Sequence, residues 1–290
     1  MEDRIMAYGG QAVLEGVLMR GQKALAIAMR APDGQIVVHT EKLSGIYRSS
    51  ITKIAFLRGT ILLWDALGLG MKALTLSANV QTGEDEKLEG PLLYGTLAFS
   101  LAFGIGLFFL VPYGVGKLGQ SLGLDVWSAA GLEGIFRLVL IVGYMWAVGQ
   151  MSDIKRVFQY HGAEHKTINA FEAGAELTPE NVAKFPLEHP RCGTSFLLTL
   201  AVLSILAFSF LHPLPVLFQI LGRILLIPVL AGIALEYIRW MANHISSPFV
   251  HWLIQPNLAL QKLTTREPDL KMLEVSIRSF TEMMAVEKSQ

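Results

Sequence analysis

The chain has 290 residues, of which 52% are hydrophobic and 17% are charged, and its mean hydropathy is +0.45. This composition excludes an ordinary soluble domain and indicates an integral membrane protein. Lysine plus arginine and aspartate plus glutamate both number 24, so the chain lacks the basic surplus of a nucleic-acid-binding protein. The single cysteine excludes an internal disulfide framework and is typical of a reducing compartment. The first residues lack the apolar core of a signal peptide.

The N-terminal region contains short segments bounded by turn residues. Residues 9–21 combine glycines with one acid and one base, and we expect a turn with close backbone approach at Gly9 and Gly10. The stretches Ala24–Met29 and Gln35–His39 then flank a Pro-Asp-Gly sequence, which is a strong turn signal. This pattern predicts a small β-hairpin at the membrane surface.

A helical pattern follows from residue 46 to about residue 79. Arg58, Asp65, Lys72 and Asn79 recur every seven residues and form a narrow polar stripe on an apolar helix. Three charges argue against a simple spanning helix. We therefore predict an amphipathic helix in the membrane interface, followed by a solvated acidic loop at residues 83–86.

Four apolar segments predict about four transmembrane helices in two hairpins. They run from Leu92 to about Val111, from Leu132 to Gly149, from Phe196 to Leu211 and from Val216 to about Tyr237. Arg223 interrupts the fourth segment near its outer end, so either its side chain extends to the outer surface or residues 214–223 lie flat.

Basic residues are concentrated between the second and third spans and in both terminal regions. The positive-inside rule therefore predicts a multi-pass protein of the inner membrane with both termini and the central interval in the cytoplasm.

The central interval contains His161, Glu164 and His165, which fall on one face of a helix. This H-x-x-E-H arrangement is the inverse of the H-E-x-x-H helix of zinc hydrolases. Two imidazoles four residues apart can bind one divalent metal ion, for which we expect zinc, and Glu164 can act as a general base. Two alternatives stay open: a polar helix face whose histidines bond to carbonyls or a carboxylate, and a metal-free polar site.

A third metal ligand must come from another segment. Glu172 lies roughly 13 Å beyond the midpoint of the two histidines, which is too far for a glutamate side chain. His189 and Cys192 follow in a loop that can fold back, and either residue type suits zinc, although Cys192 can also be a buried, inert thiol. Arg191 lies between them and can stabilise a developing oxyanion.

Two further candidates lie at the inner end of the fourth span. His244 can reach the depth of the same site, and Glu236 lies at a plausible sequence distance from the motif. Both can equally be ordinary polar residues of the membrane interface. After them, residues 264–269 begin an amphipathic helix that we expect to pack on the cytoplasmic region, with partner binding as the alternative.

These patterns predict a mainly α-helical membrane protein with a cytoplasmic helical region. The predicted order is a glycine-rich segment and β-hairpin (1–45), the interfacial helix and acidic loop (46–90), a first transmembrane hairpin (91–151), the His/Glu/Cys region (152–195), a second transmembrane hairpin (196–238) and a cytoplasmic tail (239–290).

Four motifs carry a family resemblance: GGQAVLEGVLMRG, FQYHGAEHKTINAFE, HPRCGTSF and QPNLALQKLTTREPD. With these motifs in this order, the chain resembles the YqhQ-like family of bacterial membrane proteins over about residues 7–282. The resemblance implies the fold and the membrane location. The family is labelled as predicted metal-dependent enzymes, which implies a metal site but no established reaction.

Two functions are consistent with these observations. The first is a membrane-anchored zinc hydrolase that faces the cytoplasm, with the lipid bilayer as its expected partner. The second is a non-catalytic accessory protein of a protein-insertion or translation-linked membrane complex, in which the His/Glu/Cys cluster is a hydrogen-bonded latch. Neither needs nucleic acid. A transporter is less favoured, because Arg223 is the only clear charge expected well inside a span.

Overall fold

The computed structural model of the chain describes residues 8–43, 54–82 and 90–289. The predicted acidic loop at 83–86 and residues 46–53 of the predicted interfacial helix lie outside the described residues. The elements are β1 Gly9–Val13, β2 Gly16–Arg20, β3 Ala24–Arg30, β4 Ile36–Lys42, α1 Leu57–Thr82, α2 Gly90–Ile105, a π-helical segment Gly106–Leu110, α3 Val111–Ser121, α4 Val126–Val148, α5 Ser152–Glu172, α6 Pro179–Val182, α7 Gly193–Ser209, α8 Val216–Asn243, α9 Pro248–Thr264 and α10 Leu270–Lys288.

The N-terminal strands form one antiparallel sheet in the order β1-β2-β3-β4. The predicted hairpin is confirmed as β3–β4, and Gly34 in its turn has a φ of +87°. The expected turn at Gly9 and Gly10 is wrong, because these residues begin β1 and pair with Arg20 and Met19 of β2. The chain is extended here because the residues that follow alternate between two hydrophobic cores: Ala12 faces one side of the sheet and Val13 faces the other.

The sheet lies between two helical layers. Val17 and Met19 on one face pack in the same core as residues of α5 and α10. Leu18 and Ile27 on the other face pack against α1. Every residue of β3 from Ala24 to Met29 is buried, because both faces of this central strand are covered. Helix α10 corresponds to the amphipathic helix predicted in the C-terminal tail, and its apolar stripe packs on the sheet.

Helix α1 connects the sheet to the apolar helices. Its first turn crosses α8, where a Cβ added to Gly59 would lie 2.5 Å from Gly232 Cα. Arg58 forms an ion pair with Glu236 of α8 at this crossing. Farther along, Lys72 forms an ion pair with strand β4. These two residues of the predicted polar stripe therefore bind carboxylates of neighbouring elements.

Three helices in the described part of the chain are long and apolar enough to cross a membrane: Leu93–Ser121, Val126–Val148 and Val216–Asn243. The chain is therefore a membrane protein. The remaining predicted span is α7, which is apolar but has only 17 residues. It packs between α4 and α8.

An ionic cluster lies among these helices and includes Arg223. Neither expectation for this residue, a side chain that extends to the outer surface or a flat segment at residues 214–223, is met. Glu133 of α4 binds the two terminal guanidinium nitrogens of Arg223, Nη1 and Nη2, at 2.9 and 3.0 Å and also contacts Arg137 and His212. All four side chains are at least nine-tenths buried. Arg223 neither extends to the outer surface nor lies on a flat segment, because α8 is continuous from Val216 and directs this residue towards Glu133.

Candidate metal centre

Helix α5 places His161, Glu164 and His165 on one face, as residues three and four apart in a helix must be. The two imidazole rings pack edge to face with their centroids 4.4 Å apart. Glu164 is only 5% exposed and His165 only 1%. The H-x-x-E-H face therefore points into the protein.

Backbone carbonyls hold both imidazoles by their Nδ1 atoms. The Nδ1 of His161 lies 2.8 Å from the carbonyl oxygen of Thr264, and that of His165 lies 2.5 Å from the carbonyl oxygen of Leu187. Metal-binding histidines are typically oriented in this way, with the second ring nitrogen free for the ion. The Nε2 of His165 is buried and has no hydrogen-bond partner among the described residues. Such an unpaired nitrogen costs about 1–3 kcal/mol, which a bound ion would offset.

Cys192 completes a group of three ligand atoms. It is the N-cap of α7, where its Sγ accepts the Thr194 N–H at 3.3 Å and lies 3.2 Å from His161 Nε2. The ligand atoms of His161, His165 and Cys192 all lie within 4.8 Å of one another. Zn–N distances of about 2.0–2.1 Å and a Zn–S distance of about 2.3 Å would separate nitrogen and sulfur ligands by roughly 3.5 Å. The three side chains therefore fit a tetrahedral zinc ion with a fourth position left for another ligand.

The charges within this group favour a thiolate. Burial raises the pKa of Cys192, but His165 and His161 outweigh it and hold the pKa well below the usual range of a thiol. Burial also disfavours the charged form of His161, yet the Cys192 thiolate and Glu164 raise the pKa of this imidazole to about 9. The positive end of the α7 dipole adds to the stabilisation of the sulfur. Thiolate is also the form of cysteine that binds zinc.

Glu164 lies against strand β1. The Oε2 of its carboxylate is 4.0 Å from His161 Nε2. A Cβ on Gly10 would lie 2.8 Å from Glu164 Cγ, so the expected close backbone approach does occur at Gly10. Burial raises the pKa of Glu164, with His165 and His161 acting in the opposite direction. A buried carboxyl with a raised pKa suits a proton acceptor at neutral pH.

His189 and Arg191 lie beside this group and face Glu172. The ring of His189 is 5.6 Å from that of His165, and its Nε2 is 3.8 Å from Glu172 Oε2. Arg191 forms an ion pair with the same carboxylate. Burial lowers the pKa of His189. Burial alone would raise the pKa of Glu172, but the neighbouring His189 and Arg191 outweigh it and lower the pKa of this carboxyl. Of the two predicted third ligands, the structure thus brings Cys192 to the histidines and directs His189 to Glu172.

The two candidates at the end of the fourth span lie elsewhere. The Nδ1 of His244 is 2.9 Å from the carbonyl oxygen of Trp240 in its own helix. Glu236 binds Arg58 and the Phe56 N–H. Neither residue belongs to the group of converging ligand atoms.

Helix α9 supplies supporting residues that the sequence analysis did not identify. Thr264 holds His161, and the buried amide of Gln261 bonds both the N–H and the carbonyl of His189 at 3.0 and 2.9 Å. Asn257, Gln261 and Thr264 are all buried, and they share one helix face with apolar residues. Polar residues that recur on an otherwise apolar face are the signal from which this support could have been inferred.

Comparisons with known proteins agree on one family. The model of the family described as "Protein of unknown function (DUF1385)" matches residues 54–286. The chain is also similar to "Uncharacterized protein YqhQ" of Bacillus subtilis (strain 168), with 35% identity over 301 residues that cover 97% of this chain and 93% of that protein. No solved structure matches the chain.

Proposed function

The chain belongs to the YqhQ-like DUF1385 family, and from the geometry of its site we propose that it is a membrane-bound, zinc-dependent hydrolase whose site faces the cytoplasm. The observation that carries this proposal is the convergence of His161, His165 and Cys192 within 4.8 Å, with both imidazoles fixed by carbonyls. Three protein ligands and one open position are typical of catalytic zinc sites, whereas structural sites use four protein ligands.

Each residue of the site has a distinct role in this proposal. His161, His165 and Cys192 would hold the ion, which supplies Lewis acidity and makes water a nucleophile near neutral pH. Glu164 accepts the proton of the attacking water and returns it to the leaving group. The Nε of Arg191 is buried and has no hydrogen-bond partner in the described part of the chain, so this guanidinium can stabilise negative charge that develops on the substrate.

The orientation belongs to the same proposal and is supported by a topological argument. Strands β2 and β3, helix α5 and helix α10 contribute to one hydrophobic core, so they lie on one side of the membrane. The chain must then cross an even number of times between β4 and α5, and again between α5 and α10. This argument supports α7 as a further span despite its length, and hence the proposal of four spans in two hairpins. The basic residues around this core support a position in the cytoplasm beneath the inner membrane.

Metal analysis of protein purified in mild detergent tests the proposal. Wild type should contain about one zinc per chain, and His161→Ala, His165→Ala and Cys192→Ser should each lose most of it. Glu164→Gln should retain zinc, because this carboxylate is assigned to proton transfer and not to the ion. His39→Ala, at a half-exposed histidine of β4, serves as the matched control. Negligible metal in wild type and variants alike would overturn the proposal.

A second candidate function rests on the surface of α2. No described side chain of this helix is buried, and Tyr94, Phe99 and Leu101 are 71%, 72% and 64% exposed. This surface supports a non-catalytic accessory protein that packs α2 against another membrane protein of a protein-insertion or translation-linked complex. A stoichiometric partner that co-purifies with both wild type and His161→Ala, together with metal-free wild type, would favour this function over the hydrolase.

A further inference from the structure

His189 lies in the turn that carries part of the candidate centre. Two residues before it, the carbonyl oxygen of Leu187 is 2.5 Å from His165 Nδ1, and three residues after it, Cys192 supplies the thiol. The backbone of His189 is therefore tied to the centre on both sides. The residue is only 4% exposed, so its imidazole lies inside the protein beside the candidate ligands.

The distance between two rings matches that of two ligands of one ion. The ring centroid of His189 is 5.6 Å from that of His165. With a Zn–N distance of about 2.0–2.1 Å, two imidazoles at tetrahedral positions would have their centroids roughly 5 Å apart. The ring of His189 thus already lies near enough to serve the same ion, although its nitrogens do not belong to the group of converging ligand atoms.

Two charged neighbours hold the ring of His189 away from this group. Its Nε2 lies 3.8 Å from Glu172 Oε2 and 3.4 Å from Arg191 Nη2. Arg191 also forms an ion pair with the carboxylate of Glu172, so these two side chains fix each other beside the imidazole. The direction of the ring is therefore set by Glu172, either directly or through the guanidinium.

The backbone of His189 is fixed independently by helix α9. The Oε1 of Gln261 accepts the His189 N–H at 3.0 Å, and its Nε2 donates to the His189 carbonyl at 2.9 Å. Gln261 is fully buried, which protects both bonds from water. With both backbone groups held, rotation of the side chain is the freedom that remains to His189.

We propose that His189 is a latent fourth ligand of the ion and that Glu172 is the positioning residue that keeps it away. This inference rests on the proposed function and deepens it. A zinc site with three protein ligands keeps a position for water or substrate, whereas a fourth protein ligand closes the site. The carboxylate of Glu172 thus keeps the centre open for catalysis, and removing it lets the imidazole of His189 turn to the ion.

The visible absorption of cobalt(II)-substituted protein in mild detergent tests this inference, because its bands depend on the ligands and their geometry. In wild type, added azide should bind at the open position and change the spectrum. In Glu172→Ala, the released His189 should occupy that position, so azide should no longer change the spectrum. The double variant Glu172→Ala/His189→Ala should recover the response to azide.

Zinc affinity, measured by chelator competition, separates this role from a merely structural one. Glu172→Ala should bind zinc at least about tenfold more tightly than wild type, because the ion gains a ligand. Loss of a nearby carboxylate without that gain would instead weaken the binding of a cation. Glu172→Ser is also too short to hold His189 and replaces the alanine variant if that one does not fold.

Two single variants complete the test. Glu176→Ala, at an exposed carboxylate four residues beyond Glu172, is the matched control and should change neither measurement. His189→Ala should keep the azide response and a zinc affinity within about twofold of wild type, since this ring is not a ligand in the resting state.

Two results would overturn the inference while leaving the proposed hydrolase intact. One is a wild-type response to azide in Glu172→Ala, and the other is a loss of zinc affinity of about tenfold or more in His189→Ala, which would make His189 a resting ligand. Wild type that binds neither cobalt nor zinc would refute the proposed function itself, and this inference with it.

Discussion

At the scale of single residues, the candidate site depends on close backbone contacts that only glycine permits. A Cβ on Gly162, between the two histidines, would lie 2.2 Å from the carbonyl oxygen of Arg266 and 2.7 Å from a methyl carbon of Leu187. The chain around these neighbours supplies both carbonyls that orient the imidazoles. We predict that Gly162→Ala lowers the affinity for zinc at least about tenfold and destabilises the protein by about 1–3 kcal/mol, because the displaced backbone cannot relax freely.

Chelator competition measures the affinity in this prediction, and thermal unfolding in detergent measures the stability. Gly131→Ala in α4 is the control, because a Cβ at Gly131 would meet nothing within 4 Å. The two variants make the same chemical change in a helix. An unchanged zinc affinity in Gly162→Ala would show that the carbonyl of Thr264 does not position His161.

At the scale of elements, the spans are joined by the buried ionic cluster around Glu133. One carboxylate of α4 binds Arg223 of α8, Arg137 of its own helix and His212 of the turn between α7 and α8. Removing the only carboxylate of this cluster would leave two guanidinium groups buried without an anion. We predict that Glu133→Gln destabilises the protein by about 3–5 kcal/mol, as expected when one partner of a buried ion pair is lost.

The shift in unfolding temperature in detergent measures this loss. Glu282→Gln is the matched control, since Glu282 pairs with Arg278 on the surface of α10 and such pairs contribute about 0.2–1 kcal/mol. Similar shifts for both variants would indicate that water reaches the Glu133 cluster. The same cluster is also a reason to expect α4, α7 and α8 to unfold together.

At the scale of the whole molecule, the proposed arrangement of four spans predicts which turns reach the outer side of the membrane. In a Cys192→Ser background, Leu122→Cys after α3 and Leu214→Cys before α8 should react with a membrane-impermeant maleimide in intact cells. Asp33→Cys in the β3–β4 turn should react only after permeabilisation, because the sheet shares a core with α5 and α10. Protection of Leu214→Cys in intact cells would mean that α7 does not cross the membrane.

Sequence alone determined the features that depend on neighbouring residues. The apolar stretches predicted the membrane helices, the Pro-Asp-Gly turn predicted the β3–β4 hairpin, and the spacing of His161, Glu164 and His165 predicted a shared helix face. Each of these follows from the local periodicity of an element or from the conformation of a few residues. The position of the candidate centre on the chain was therefore visible before any coordinates.

Only the tertiary structure decided which distant residues meet. Cys192 reaches His161 across 31 residues, while His189, three positions earlier, is held by Gln261 and turns to Glu172. Arg223 meets Glu133 across 90 residues, and residues 9–20 pair as strands because α1 and α5 cover both faces of the sheet. Such contacts are set by the packing of whole helices against one another, and residue type and spacing do not encode that packing locally.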